Sequence, residues 1–271
     1  MAKFAILSDI HGNIQALEVV LAKCEKLGVT KFISLGDIVG YNGNPAECLK
    51  IVRSLDLVAA VRGNHDEYAG NDNEDIVGFN PHAKAAVSWT RSQLSDEERS
   101  WLMATPYRKS VPMDVPGCNT TIVHATLDSP ENWGYIFDMH HAIDNFTYQF
   151  TPLCFCGHSH VPLAFCKKPI TAINERQVEE LNEWVVAPNS EDFSKECEFH
   201  VEIRAGHKYL FNIGSIGQPR NHDNRASFAV LDTDRKTVSR YCLPYDIAAT
   251  QERIRSVGLP ERLANRLISG I

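Results

Sequence analysis

Eight residues of this chain belong to types that hold metal ions or move protons: Asp9, His11, Asp37, Asn64, His65, His124, His158 and His160. Each follows a short apolar run. Phe4-Ala5-Ile6-Leu7 precedes Asp9, and Lys31-Phe32-Ile33-Ser34-Leu35 precedes Asp37. Leu57-Val58-Ala59-Ala60-Val61 precedes Asn64, Thr120-Thr121-Ile122-Val123 precedes His124, and Leu153-Cys154-Phe155-Cys156 precedes His158. A single strand-end Asp is ordinarily a turn former, and a single His is ordinarily a packed side chain. Five such strand ends together are the set that would converge on one rim of a parallel sheet, where ligands bind in open α/β folds.

The residue types define the chemistry. Oxygen and imidazole donors without thiolate suit Mn, Fe, Zn, Ni or Co. A carboxylate can bridge two ions, and the neutral oxygen of Asn limits the negative charge at the second. Two divalent ions about 3.5–4 Å apart can activate a water and clamp a phosphoryl oxygen through an in-line displacement. No protein nucleophile is then needed. The remaining task is to protonate the leaving oxygen, and His65, next to the ligand Asn64, is placed for it.

These residues need elements to carry them. A helix is expected from Ile14 to Leu27, with Asn13 as N-cap and Gly28 as terminator. Asn44 and Pro45 open a second helix. With the strands around 4–7, 31–35 and 57–61 this gives β-α-β-α-β, a parallel sheet with helices on its faces. Residues 67–79 are polar and read as loop. Asn80-Pro81 opens a helix to about Leu94, and Ser95 to Glu98 forms a capping box. Residues 125–137 read as irregular, and a helix is expected around 138–149. Ala226–Leu231 and Thr237–Tyr241 flank a turn and form an antiparallel hairpin. Asp246 caps one further helix and Pro260 starts another. One domain over 1–271 is expected.

Composition narrows the function. The chain has 271 residues, 44% apolar and 23% charged, with a formal net charge of −7. That balance disfavours a general binder of polymeric nucleic acid or anionic membranes. Residues 171–203 contain nine acids and two bases, a net of −7, and read as part of an acidic insertion or lid at about 164–208. No apolar run is long enough for a secretory leader or a membrane-spanning helix. The eight scattered cysteines read as buried small hydrophobes in a reducing, cytoplasmic setting. Cys154 and Cys156 share one strand face and read as core.

Asp9-x-His11, Gly36-Asp37, Gly63-Asn64-His65-Asp66, His124 and Gly157-His158-Ser159-His160 resemble, in order and spacing, the calcineurin-like metallophosphoesterases. Gly214-Ser215-Ile216-Gly217-Gln218-Pro219-Arg220, followed by Arg225-Ala226-Ser227, resembles the loop after the site in the small bacterial phosphodiesterase and diadenosine-tetraphosphatase-like branch. The resemblance implies an α/β fold, a four-layer αββα sandwich of two mixed β-sheets flanked by helices. It implies two divalent transition-metal ions, Asp9, His11, Asp37 and His160 holding the first and Asp37, Asn64, His124 and His158 the second. His65 would be the general acid. The implied function is a dinuclear metal-dependent phosphodiesterase that cleaves a small nucleotide-type phosphate ester by attack of a metal-bridging hydroxide. Phosphomonoester or protein-phosphatase chemistry on the same site is the alternative, and a non-catalytic binding scaffold of the same fold is a third reading. The Asp-Arg pair that protein phosphatases of this superfamily carry after the second strand is replaced here by Gly40-Tyr41, which favours a diester. Tyr41, Trp133, Arg220 and Arg225 are candidate substrate contacts, with Asn80 and His82 weaker ones.

Overall fold

The computed structural model describes residues 2–71, 76, 78–169, 177–184 and 192–271. Strands β1 (Lys3–Leu7), β2 (Lys31–Ser34) and β3 (Leu57–Ala60) alternate with helices α1 (Ile14–Lys26) and α2 (Pro45–Ser54). Helices α3 (Asn64–Gly70), α4 (Pro81–Gln93) and α5 (Asp96–Ala104) follow, then β4 (Arg108–Val111), β5 (Thr120–Val123), α6 (Met139–Tyr148) and β6 (Leu153–Cys156). The chain continues through β7 (Leu163–Lys167), β8 (Val178–Glu180), β9 (Cys197–Glu202), β10 (Lys208–Asn212) and the hairpin β11 (Ala226–Asp232) and β12 (Thr237–Leu243). Helices α7 (Ile247–Ser256) and α8 (Glu261–Ser269) close it.

The strands form two mixed six-stranded sheets, in the orders β3-β2-β1-β11-β12-β9 and β4-β5-β6-β10-β7-β8. β1, β2 and β3 are parallel to one another, as are β5, β6 and β10, while the hairpin joins β1 antiparallel. The period-2 alternation along β1 defines the layers. Phe4 and Ile6 pack between the sheets with Ile33, Phe155, Phe211, Ala229 and Val238. Ala5 and Leu7 point the other way, against Leu17, Val20 and Leu49 of α1 and α2. On the outer face of the second sheet, Cys154, Cys156 and Phe165 meet Ala142 and Phe146 of α6. The result is the αββα sandwich. Each fully buried Ile, Leu or Phe stabilises it by roughly 1.5–3 kcal/mol.

Caps were readable where they use side chains. Asn13 Oδ1 accepts from Ala16 N at 3.1 Å, and Ser95 and Glu98 make the reciprocal capping box of α5. Other elements were not anticipated. Residues 67–70, read as loop, belong to α3, because Asp66 accepts from Gly63 N at 3.2 Å and closes its first turn. The described residues of 164–208 form β7, β8, β9 and the start of β10, strands of both sheets. Trp184 lies buried between the sheets, its Nε1–H donating to Asn212 O at 3.0 Å. Residues 170–176 and 185–191 of the acidic stretch lie outside the described residues. Cys154 and Cys156 are buried and unpaired, as are most of the eight free cysteines. Among the described residues, no helix is long and apolar enough to cross a membrane.

Candidate metal centre and substrate cavity

The turns that carry the candidate ligands meet at one end of the sandwich, and they come from both sheets rather than from one rim. Asp9 and His11 follow β1, Asp37 follows β2, and Asn64 opens α3 directly after β3, in the first sheet. His124 follows β5, and His158 and His160 follow β6, in the second. All but the partly buried Asn64 are buried.

The backbone at these turns is unusual. Asp9, His11, Asp37, His158 and His160 have φ of +52°, +50°, +53°, +67° and +60°. This left-handed region disfavours residues with a Cβ, by about 1–3 kcal/mol each, and such strain concentrates at functional sites. Hydrogen bonds hold it in place. Ser215 Oγ donates to Asp9 O at 2.9 Å, and Ile216 N to Ser8 O at 3.1 Å. Asn212 Nδ2 donates to Gly157 O at 2.7 Å and to Ser159 Oγ at 3.0 Å. Asp66 Oδ1 accepts from Ile38 N at 2.9 Å and Val39 N at 3.2 Å, tying the turn after Asp37 to α3.

The tautomers follow from the partners. His11, His124 and His160 each donate Nδ1–H to a backbone carbonyl, those of Val39 (3.0 Å), Leu35 (2.8 Å) and Gln218 (2.6 Å). Their Nε2 atoms are therefore left as lone pairs when the rings are neutral. His158 is reversed: Nε2–H donates to Trp133 O at 3.0 Å, which leaves Nδ1. The free nitrogens converge on the carboxylates. His160 Nε2 lies 3.2 Å from Asp9 Oδ1, His11 Nε2 lies 3.5 Å from Asp37 Oδ2, and His124 Nε2 lies 3.3 Å from the same Asp37 oxygen. His11 and His160 bring their Nε2 atoms within 3.1 Å of each other. Asn64 Oδ1 is buried without a hydrogen-bond partner.

Electrostatics agree with a cation site. Burial alone would raise the carboxyl groups, but His160 holds Asp9 below its ordinary range and His124 does the same for Asp37. Burial pushes His11 and His160 down, His65 to about 4 and His158 to about 3. Burial also opposes charge on His124, yet the adjoining Asp37 carboxylate outweighs it and lifts that ring to about 9. Ionised carboxylates facing mostly neutral imidazoles are the protonation states a divalent ion requires of its ligands. Asp9, His11, Asp37 and His160 offer donor atoms all within 4.8 Å of one another.

A cavity of about 430 Å³ opens over this cluster. His65 lines it, packed between Tyr41 (ring centroids 4.3 Å) and Phe79 (4.8 Å). Tyr41 is itself buried and also meets His11 edge-on at 4.7 Å, so its ring supports the histidines while its hydroxyl reaches Arg220 Nη2 at 3.2 Å. Trp133, Arg220 and Asn80 line the cavity, while His82 borders an adjoining cleft. Arg225 lies elsewhere. It is buried in a bidentate pair with Asp223, with Nε to Oδ1 at 2.8 Å and Nη2 to Oδ2 at 2.6 Å, and its Nη1 donates to Lys195 O. Sequence reasoning missed Tyr135, whose ring stacks on His158 at 4.2 Å, and Arg266, which reaches the cavity from α8. Tyr135 lay in a stretch read as irregular, close to Trp133. Arg266 carried one signal, its four-residue spacing from Arg262.

Residues 2–188 match the calcineurin-like phosphoesterase superfamily domain. An uncharacterized protein of Methanocaldococcus jannaschii is 32% identical over 266 residues, covering 98% of this chain and 97% of its own length. The crystal structure of a metallophosphoesterase from Sphaerobacter thermophilus superposes with a TM-score of 0.79 at 35% identity, covering 100% of this chain and 99% of that one. A hypothetical protein from Pyrococcus horikoshii shares the fold, with a TM-score of 0.74 at 20% identity over 100% and 99% of the two chains.

Proposed function

The chain belongs to the calcineurin-like phosphoesterase superfamily, and on that footing we propose that it is a dinuclear phosphodiesterase acting on a small nucleotide-type phosphate ester. In this reading Asp9, His11, Asp37 and His160 hold one divalent transition-metal ion, and Asp37, Asn64, His124 and His158 hold the other. The facing Nε2 atoms of His11 and His160, 3.1 Å apart, carry the metal half of the reading. With both rings neutral and both Nδ1 atoms donating, two lone pairs face each other there, an arrangement that a bound cation would relieve. The partnerless Asn64 oxygen supports a second ion.

When bound, two such ions supply a water activated at neutral pH and a clamp on the phosphoryl oxygens. The chain's own residues do the rest. Asp37 sets the spacing of the two ligand groups, and its Oδ1 is fixed by His65 N at 2.9 Å. Tyr41 and Phe79 hold the His65 ring over the cavity, where it would pass a proton to the leaving oxygen. A phosphoester anion beside that ring favours its protonated form, which burial of the ring disfavours. Trp133, Tyr68 and Phe79 give the cavity aromatic walls suited to a base or another planar leaving group. Gly40-Tyr41, standing where protein phosphatases of the superfamily carry Asp-Arg, supports a diester. Cysteine usage supports a cytoplasmic setting. The test is metal content after loading with Mn²⁺ and removal of excess ion. About two ions per wild-type chain are expected, and fewer than one in Asp37→Ala. A folded wild-type chain that retains no metal would overturn the reading.

A further inference from the structure

Two of the eight cysteines differ from the rest in setting. Cys197 of β9 and Cys242 of β12 stand directly opposite each other in the antiparallel register. Directly opposite residues point to the same face with Cα atoms about 4.5–5.5 Å apart, inside the range of about 4.4–6.8 Å that a disulfide spans. That face is the inner one, since Cys197 extends the row of Phe199 and Val201 on β9, and Cys242 extends the row of Val238 and Arg240 on β12. Cys242 is fully buried and Cys197 is partly exposed. The other six, Cys24, Cys48, Cys118, Cys154, Cys156 and Cys166, are all buried, and burial pushes each of their thiols above its ordinary range.

Two guanidinium groups flank the pair. Arg240 is fully buried, its guanidinium 4.0 Å from the Phe199 ring centroid. Its Nε and Nη2 donate to Trp184 O, and its Nη1 donates to Ser227 Oγ at 3.3 Å and to Cys242 Sγ at 2.8 Å. None of these acceptors is a carboxylate, so this buried cation depends on sulfur for a counter-charge. Arg225, held by Asp223, brings a second cation to Cys197. The hydrogen bond between the two sulfurs favours the thiolate of Cys197 and, together with burial, holds Cys242 as a thiol. A partly exposed thiolate beside a protonated second thiol, with cations around both, is the setting in which a cysteine is oxidised and then resolved. The metal centre uses neither residue.

We propose that Cys197 and Cys242 form a dithiol that a hydroperoxide oxidises to a reversible disulfide between β9 and β12. The Cys197 thiolate attacks one peroxide oxygen, a sulfur–oxygen bond forms, the O–O bond breaks, and the other oxygen leaves as hydroxide or alkoxide. The Cys242 thiol then attacks the sulfenic sulfur. The S–S bond forms, the S–O bond breaks, and the Cys242 proton leaves with that oxygen as water. The two sulfurs give up two electrons in all, and the peroxide takes them. Cys197 reacts first because it is the sulfur that solvent reaches, and Cys242 resolves it from the opposite strand. β9 lies at the edge of its sheet, and the bond fastens it to β12. A thiol reductant reverses the step by exchange, as suits a reducing setting. The proposal is independent of the phosphohydrolase reading.

The test uses the full, folded, Mn²⁺-loaded chain treated with hydrogen peroxide. Mass spectrometry should show a loss of about 2 Da, a cross-linked pair of peptides carrying Cys197 and Cys242, and the other six cysteines unmodified. Dithiothreitol should return all eight thiols. Cys197→Ser should slow oxidation of Cys242 by about tenfold or more, because it removes the sulfur that peroxide reaches. Cys242→Ala should abolish the cross-link and leave a sulfenic acid on Cys197 that dimedone captures. Should the buried Cys242 variant not fold, Cys197→Ser, at the partly exposed position, decides the question with the wild-type map. A folded wild-type chain in which both thiols outlast the core cysteines would overturn the proposal. So would a cross-link between any other pair, or Cys242 oxidised as fast in Cys197→Ser as in wild type.

Discussion

Gly157 stands against Asp9 with no room for a side chain: a Cβ there would overlap Asp9 Oδ2 and Ser8 Oγ. The turn that carries His158 and His160 therefore packs directly on the first carboxylate of the site, and His158 N donates to Asp9 Oδ1 at 3.3 Å and Oδ2 at 3.2 Å. The two sheets register on each other through this contact. Gly157→Ala should displace Asp9, remove metal affinity at the first position and destabilise the fold by about 1–3 kcal/mol. Metal content and urea unfolding measured together check this, and a variant with full metal content would show that the turn can move aside.

Asn64 supplies a neutral oxygen to the proposed second position only. Asn64→Ala should retain about one ion per chain where wild type retains two. The loss should also reduce the thermal protection given by Mn²⁺, since an ion at 100 times its Kd stabilises by about 2.7 kcal/mol. Thermal melts with and without Mn²⁺ measure the difference.

Trp184 anchors the stretch that reads as acidic and polar in sequence. It is fully buried, meets the Phe211 ring at a tilt of 46° with centroids 4.8 Å apart, and receives both Arg240 Nε (3.1 Å) and Nη2 (2.6 Å) on its carbonyl. Trp184→Ala should lower the unfolding free energy by about 3–5 kcal/mol. Chemical denaturation monitored by circular dichroism would register the loss.

Cys197 and Cys242 face each other across β9 and β12. The Cys242 hydrogen bond lowers Cys197 to about 7, with help from the Arg225 charge. Only the thiolate is nucleophilic, so alkylation of Cys197 should rise with pH through about 7, slow below it and near its plateau above 8. Cys242→Ala should move the midpoint upward. Mass spectrometry of iodoacetamide-treated protein reads both effects, and a midpoint near 9 in the wild-type chain would contradict the pairing.

The candidate ligand residues were legible because their chemistry is local. An apolar run ending in Asp, Asn or His can be read one strand at a time, and the fold then gathers the ends. What the local pattern hid was the second partner of each residue. Arg225 read as a substrate contact because Asp223, two residues away, showed no sign of being its bidentate partner. Arg266 was hard to read because it meets the cavity only where α8 packs beside Arg220, 46 positions earlier in the chain. β9 alternates Phe199 and Val201 inward with Glu198, His200 and Glu202 outward, a clear edge-strand pattern that the surrounding acids obscured. The left-handed backbone at Asp9, His11, Asp37, His158 and His160 is set by tertiary hydrogen bonds and has no sequence signal beyond the tolerance of Asp and His for that region.

If the cluster around Asp37 hydrolyses phosphoesters with His65 as proton donor, both residues must control kcat/KM for bis(p-nitrophenyl) phosphate with Mn²⁺, measured for wild type, Asp37→Asn and His65→Ala. Wild type should turn the ester over. His65→Ala should lose about 10²–10⁴-fold, and Asp37→Asn on the order of a thousandfold or more, because that carboxylate would hold both positive charges facing the transition state. Wild-type rates in both variants, with the fold intact, would contradict the account.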